Sequence, residues 1–184
     1  ESEFVGRFGD DEAADFLQSE FDKCNISFNR SKTVKGAMTS QSHIFEDSHG
    51  ERMLAVFNEQ KLFEEKRLPN FDFSHDQTYL IDVHWTEAAN YLAKSTYERG
   101  INCIVDIDNF SKDKAVEEVV KNSSHPVFSE NGLYQYTKEK SIINSLRSLY
   151  QTNNKFYAVT LGSEGVYWID QGDIFHCPAP KIEV

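Results

Sequence analysis

The spacing of apolar and polar positions changes along this chain, and each change marks a new element. Phe4 to Phe8 reads as a short strand. Gly6, Gly9 and Asp10 punctuate it, and an amphipathic helix is expected from about Asp11 to Cys24, with Phe16, Leu17, Phe21 and Cys24 as its buried stripe. Between Thr33 and Phe45 polar and apolar residues alternate loosely. A turn at Asp47-Ser48-His49-Gly50 and the returning run Met53-Leu54-Ala55-Val56-Phe57 complete a predicted β-hairpin. Thr39, Ser40, Gln41 and Ser42 on its faces imply that one side stays wet.

The second half has another rhythm. Thr78 to Val83 predicts a strand, Thr86 to Arg99 a helix, Ile101 to Asp106 a strand and Lys112 to Lys121 a helix. A strand around Pro126-Val127-Phe128, a helix from about Lys138 to Tyr150 and a strand from Phe156 to Leu161 come next. A hairpin through Val166-Tyr167-Trp168 and Asp173 to His176 comes last. Strands and helices alternating at this spacing imply parallel strands joined by right-handed crossovers, an α/β sandwich to which the earlier hairpin is appended. The polar run Glu64 to Gln77, which contains Pro69, is the expected connector and a hinge candidate. The division that results is 1–32 as the start of an α/β domain, 33–58 as a hairpin, and 59–184 as the α/β domain continued.

Composition narrows the partners. A chain of 184 residues with 39% hydrophobic and 13% aromatic residues has enough apolar side chains for a core. The formal charge of −11 repels phosphate backbones and anionic lipid surfaces, so neither nucleic acid nor membrane is expected as a partner. No apolar run reaches the ~20 residues of a membrane span. Cys24, Cys103 and Cys177 are dispersed and form no C-x-x-C pair, which reads as buried reduced thiols in a cytoplasmic protein. The chain opens on Glu1 and meets Phe4-Val5-Gly6 almost at once, so it is expected to be a segment of something longer.

In an open parallel sheet, ligands bind beyond the carboxyl ends of the strands, and four such ends are polar here. Asp82 and His84, two apart, are placed to contact a sugar hydroxyl or an anionic group, or else to cap the helix that begins near Thr86. Asp106 and Asp108 are placed to hold a hydrated Mg²⁺ or accept bonds from a polyol, or else to line a solvated loop. The third end carries Ser129, Glu130, Asn131 and Gly132. At the fourth, Thr160-x-Gly162-x-x-Gly165 would let a flat base or a phosphate approach the backbone, although a tight hairpin turn also needs small residues. The histidines show no metal-ligand spacing, and no resident metal site is expected.

These pieces, in this order, resemble the ribokinase-like (PfkB family) sugar kinases. Val5-Gly6-Arg7-Phe8-Gly9-Asp10-Asp11-Glu12 is similar to the family's v-G-x-x-G-x-D-x-x-G segment, followed by a helix and a hairpin ending in Gly50-Glu51-Arg52. Val159 to Gly165 resembles the v-T-x-G-x-x-G strand beside the nucleotide. His176 to Val184 resembles the stretch before the family's D-T-x-G-A-G-D signature. Leu80 to Trp85, Val105 to Asp108 and Phe128 to Leu133 look most like the clade that includes sulfofructose kinase. That clade tends to carry Arg where His84 stands, and an Arg fork suits a sulfonate better than an imidazole does.

The resemblance implies a ribokinase-like three-layer α-β-α sandwich, partial, in which the hairpin is a substrate lid. It implies ATP and Mg²⁺ as cofactors, a monosaccharide or related small polyol at Asp82, His84, Asp106 and Asp108, and nucleotide contacts at Ser129, Glu130, Thr160, Gly162 and Gly165. The family's N-x-x-E motif is replaced by Ser129 and Glu130, which would leave Glu130 to act on Mg²⁺ through water. The family's base and phosphoryl cradle belong to its last signature, so the catalytic residues are expected beyond Val184 and the segment alone is expected to be inactive. A homodimer through the hairpin is expected by the same resemblance. The rival readings are a nucleoside kinase of the same fold and a non-catalytic sugar- or nucleotide-binding module.

Overall fold

The computed structural model describes residues 2–50, 52–108 and 114–181, and divides the chain into two compact units, 1–71 and 72–184. The division falls inside the expected connector.

In the first unit the anticipated strand from Phe4 to Phe8 is two short pieces, β1 (Ser2–Glu3) and β2 (Arg7–Phe8). The break comes at Gly6, whose amide donates to Ser31 Oγ at 3.0 Å while its carbonyl accepts from Lys32 N at 2.9 Å, so the backbone turns away from a ladder. Helix α1 (Glu12–Lys23) is next, then β3 (Ile26–Ser27), parallel to β1, and β4 (Lys32–Thr33), parallel to β2. Phe4, Phe8, Phe21 and Phe28 form the aromatic core between them, with ring centroids 4.8 to 6.5 Å apart.

The expected stripe on α1 is corrected by this core. Ala14 is buried and Phe21, seven residues on and so on the same face, is half-buried; Phe16, two residues from Ala14, points the other way and is 63% exposed. Leu17 and Cys24 are exposed too. The phase of the helix is set by its cap: Asp11 Oδ1 accepts from Ala14 N at 3.0 Å, which fixes where the first turn begins.

The expected hairpin forms, but later than its alternation suggested. Lys32–Thr33 is spent on β2, and the hairpin proper is β5 (Gln41–Glu46) against β6 (Arg52–Phe57), in register from Gln41 opposite Phe57 to Glu46 opposite Arg52. Every residue of both strands is exposed, so both faces are wet, not one. Helix α2 (Gln60–Glu64) closes the unit's regular structure.

The second unit holds a six-stranded sheet of order β12-β11-β10-β9-β8-β7. Strands β7 (Tyr79–Ile81), β8 (Cys103–Ile107), β9 (His125–Ser129) and β10 (Tyr157–Thr160) run parallel. The strands β11 (Val166–Asp170) and β12 (Asp173–Cys177) return antiparallel as the expected terminal hairpin. Helices α3 (Thr86–Arg99), α4 (Lys114–Asn122), α5 (Glu130–Thr137) and α6 (Ile142–Asn153) make the crossovers. Because each crossover steps to the next strand in one direction and is right-handed, these helices lie on one face of the sheet. Val105, Ile107, Phe128, Tyr157 and Val159 face them and are fully buried, whereas the alternate positions Leu80, Asp106 and Thr160 are exposed.

Helix α5 is missing from the sequence-based reading, which ran strand directly into loop there. Asn131-Gly132 is a poor helical pair, but Ser129 caps the helix by accepting from Gly132 N at 3.0 Å, and Leu133 is fully buried. The expected helix from Lys138 therefore begins at Ile142, after Lys138 ends α5 in a left-handed conformation. The thiol expectation also needs correction, since of the three cysteines Cys103 alone is buried while Cys24 and Cys177 are exposed. Among the described residues no helix is long and apolar enough to cross a membrane.

One side chain joins helix to sheet. Lys155, just before β10, reaches back to the end of α4 and donates to the carbonyls of Val120, Lys121 and Ser123, the last two at 2.9 and 2.7 Å. Burial pushes its pKa down to about 8, so at pH 7 it is still an ammonium with one N–H for each carbonyl. Replacing it, Lys155→Met, keeps the apolar stem and removes all three donors. The variant should lose about 1.5–3 kcal/mol of stability by urea denaturation at pH 7, and an unchanged midpoint would show that water replaces the ammonium at no cost.

Candidate functional site

The residues singled out from the sequence fall at the carboxyl ends of the parallel strands of the second unit. Strand β7 ends at Ile81, one residue before Asp82, because Asp82 Oδ1 accepts from His84 N at 2.8 Å and turns the chain toward α3. Asp82 and His84 thus lie past the strand, where alternation no longer decides their direction. Nor does Asp82 cap α3: the cap position is Trp85, and Thr86 Oγ1 donates instead to Val83 O at 3.0 Å.

On the neighbouring strand, Asp106 precedes the last residue of β8 and Asp108 comes just after it. Asp106, His84, Asp82 and Asp108 are all exposed, and the charges of the other three act on the Asp106 carboxyl. Partial loss of hydration raises the pKa of Asp106, the negative charges of Asp108 and then Asp82 raise it further, and His84 opposes them. The pairing of β7 with β8 therefore sets the Asp82–His84 end beside the Asp106–Asp108 end, an acidic edge with a single imidazole. That arrangement offers several acceptors and one group able to donate or accept, suited to bonding a set of hydroxyls.

At the next end, Ser129 is the last residue of β9 and the cap of α5, and Glu130 is the exposed first residue of that helix. Glu130 also lines a shallow cavity of about 360 Å³ with Tyr134, Glu139, Lys140 and Ile142. Gly132 ties this end to the acidic one. A Cβ there would collide with the carbonyl oxygens of Ile107 and Asp108, so only glycine lets the first turn of α5 close against the end of β8. The sequence-based reading noted Gly132 merely as part of a polar strand end; the signal it carried was the Asn-Gly pair right after a strand.

Thr160, the exposed last residue of β10, pairs with Ser129 in the parallel register. Beyond it, Gly162 to Glu164 form a single 3₁₀ turn closed by Glu164 N to Leu161 O at 3.0 Å and Gly165 N to Gly162 O at 3.1 Å, with Leu161 N donating across it to Gly165 O at 2.8 Å. Gly162 is left-handed, at φ 51°, and the space where its side chain would be is open. Gly165 is also left-handed, but its missing side chain is what lets the Cys177 carbonyl and the Ala179 amide pass close by. The first glycine leaves room for a ligand; the closeness at the second is taken up by the chain itself. Among the described residues no group of three or more His, Cys, Asp or Glu side chains is arranged to hold a metal ion.

Comparison with known proteins bears on the family and the fold. The family model described as pfkB family carbohydrate kinase matches residues 1–184. Among solved structures, a protein from Agrobacterium tumefaciens provisionally assigned as a ribokinase is similar at 25% identity and a TM-score of 0.85, over 98% of this chain and 60% of its own. The adenosine kinase of Sinorhizobium meliloti is similar at 17% identity and a TM-score of 0.76, over 99% of this chain and 59% of its own. A fructokinase from Vibrio cholerae O395, solved with fructose, ADP and calcium ion, is similar at 16% identity and a TM-score of 0.73, over 99% of this chain and 64% of its own. The chain spans about three-fifths of the length of these structures.

The acidic group makes a prediction that needs no ligand. A carboxyl whose folded pKa is raised costs stability once it ionises, so the cost is absent below the ordinary carboxyl pKa and fully present above the raised one. Asp106→Asn should therefore raise the thermal midpoint at pH 7, with the gain vanishing toward about pH 3. A gain that persists unchanged at pH 3, or a loss at pH 7, would refute the electrostatic grouping of these residues.

Proposed function

We propose, from the premise that the chain belongs to the pfkB family of carbohydrate kinases, that its second unit supplies substrate and nucleotide contacts for phosphoryl transfer from ATP to a hydroxyl of a small neutral polyol. The observation that carries this reading is the placing of Asp82 with His84, and of Asp106 with Asp108, at two adjacent strand ends. Carboxylates accept bonds from sugar hydroxyls without the need for a metal, and the imidazole supplies a donor that the carboxylates lack. Three acidic side chains about one site also repel a phosphorylated or sulfonated substrate. The sulfosugar assignment suggested by the nearest-looking clade is thus disfavoured in two ways, by the acid group and by an imidazole in place of a guanidinium.

Nucleotide contacts are assigned to the Ser129, Glu130 and Thr160 ends and to the open side of Gly162. Phosphoryl transfer proceeds mainly by positioning and by stabilising charge on the transferred group, and ATP supplies that group. The described residues fit a nucleotide better than a protein-held metal: an open, left-handed Gly162 admits a flat or anionic group near the backbone, whereas no three-ligand cluster is present among them. A magnesium ion would therefore rely largely on the nucleotide phosphates and water for its ligands, with Glu130 the nearest candidate to meet that hydration shell. The signature to which the family resemblance assigns the base does not occur in these 184 residues, and the chain alone is proposed to bind without turnover.

The second reading, a nucleoside kinase, is favoured by the likeness to an adenosine kinase. Self-association through the hairpin is proposed as well. Ile44, Phe45, Met53, Leu54 and Val56 are all more than half exposed on a two-stranded ribbon, a kind of structure that is marginal in water unless something packs on it.

Calorimetric titration of the chain with fructose, ribose, adenosine and ADP distinguishes the readings. A neutral sugar should bind, and His84→Ala should weaken it about tenfold, or 1.4 kcal/mol, while ADP affinity stays within about twofold. Binding of adenosine in place of any sugar would favour the nucleoside kinase, and equal losses for sugar and ADP would overturn the assignment of His84. For the hairpin, Leu54→Lys should shift sedimentation from dimer to monomer; a wild-type chain that is already monomeric at tens of micromolar would end that proposal.

A further inference from the structure

Every residue of β5 and β6 is exposed, yet the base of the hairpin is tightly bolted, and the bolts converge on one residue. Thr39 is 5% exposed, just ahead of β5. Its amide donates to Asp11 Oδ2 at 2.8 Å, and its hydroxyl donates to Asp11 Oδ1 at 2.6 Å while accepting from Gly9 N at 3.1 Å. Just before it, Asp10 N donates to Ala37 O at 3.2 Å and Gly36 N to Asp10 Oδ1 at 2.9 Å. The two legs of the hairpin are then clamped to each other, Met38 N to Glu59 Oε2 at 3.3 Å and Glu59 N to Ser40 Oγ at 3.2 Å. Gly9 permits all of this, since a Cβ there would collide with the Ala37 carbonyl and the backbone of Met38 and Thr39.

Asp11 is meanwhile the cap of α1, so one carboxylate serves a helix start and a hairpin base at once. From this we propose that the Asp11–Thr39 pair is a latch that sets the direction of the hairpin relative to helix α1, making helix and hairpin move as one body. The inference stands apart from the kinase reading, because it concerns what points the hairpin and not what the hairpin covers. The Thr39 hydroxyl foremost, with its amide, also holds the Asp11 carboxyl below the usual carboxylate range, so the acceptor stays ionised at neutral pH. A hairpin flexing freely at its base would need neither a buried threonine whose hydroxyl and amide make three hydrogen bonds nor a glycine at the crossing.

The test is the distance between helix and hairpin in the whole chain. Nitroxides placed through Ser19→Cys on α1 and His43→Cys on β5, both exposed positions, report it by pulsed dipolar spectroscopy, with Cys24 and Cys177 changed to serine and buried Cys103 left alone. The unaltered latch should give one narrow distance distribution. Thr39→Val, nearly the same shape without the hydroxyl, should at least double its width, and Thr39→Ser should restore it. Should Thr39→Val fail to fold, Asp11→Asn takes its place: it keeps one carbonyl oxygen to cap Ala14 and loses the second acceptor, so α1 persists by circular dichroism while exchange of the Thr39 amide rises more than tenfold and the distances broaden. Distributions as narrow in the folded variants as in the parent chain would overturn the latch and leave the pair a helix cap only.

Discussion

A parallel strand cannot be followed by its neighbour without a crossover, and a right-handed crossover has one side to go to. With β7 to β10 laid down in sequence order, that constraint decides most of what matters in the second unit. It puts α3 to α6 on one face, buries Val105, Ile107, Phe128 and Val159 under them, and delivers Asp82, Asp106, Ser129 and Thr160 to one edge. The polar residues need no attraction for one another to be assembled; the acids indeed repel. Their grouping is imposed by backbone hydrogen bonds and apolar burial, and the raised pKa of Asp106 is the cost carried at the edge.

Much of this was legible in the sequence because period and punctuation agree there. Helix α3 was read from Thr86 to Arg99 as it stands, since a strong apolar face ends at Gly100, which adopts the left-handed conformation such ends require. The strand ends were legible for the same reason, each a largely apolar stretch stopping at acids, serine or threonine. What failed did so where a side chain overrode local preference. Asn131-Gly132 reads as a loop, and only the cap from Ser129 and the burial of Leu133 make it a helix. Gly6 reads as punctuation in a single strand from Phe4 to Phe8, and its partners Ser31 and Lys32, some 25 positions away, are what split that strand in two. The stripe on α1 failed because it was counted from large side chains, when the packed face is carried by Ala14 and a phenylalanine seven residues later. As for the candidate site, the strand ends that carry it were legible but not their geometry, since Asp82 lies one residue and His84 three residues beyond the strand that would have fixed their faces.

Three glycines show how differently the same residue is used. Gly132 and Gly9 both stand where two backbones touch, one drawing helix α5 onto the end of β8, the other seating Ala37 to Thr39 against the start of α1. In each the missing side chain is filled by a carbonyl of the protein itself. Gly162, by contrast, opens onto unfilled space, so its left-handed backbone and not a close neighbour is what asks for glycine there.

The succession of strands also bears on how the molecule comes to exist. From β7 to β12 spatial order is sequence order, so every strand pairs with the one made just before it and no strand has to wait for a distant partner. Parallel sheets are slow to form when their pairings are remote. Here each newly made helix and strand can dock on the layer already present, and the sheet can grow outward from β7 while the ribosome is still adding the next strand.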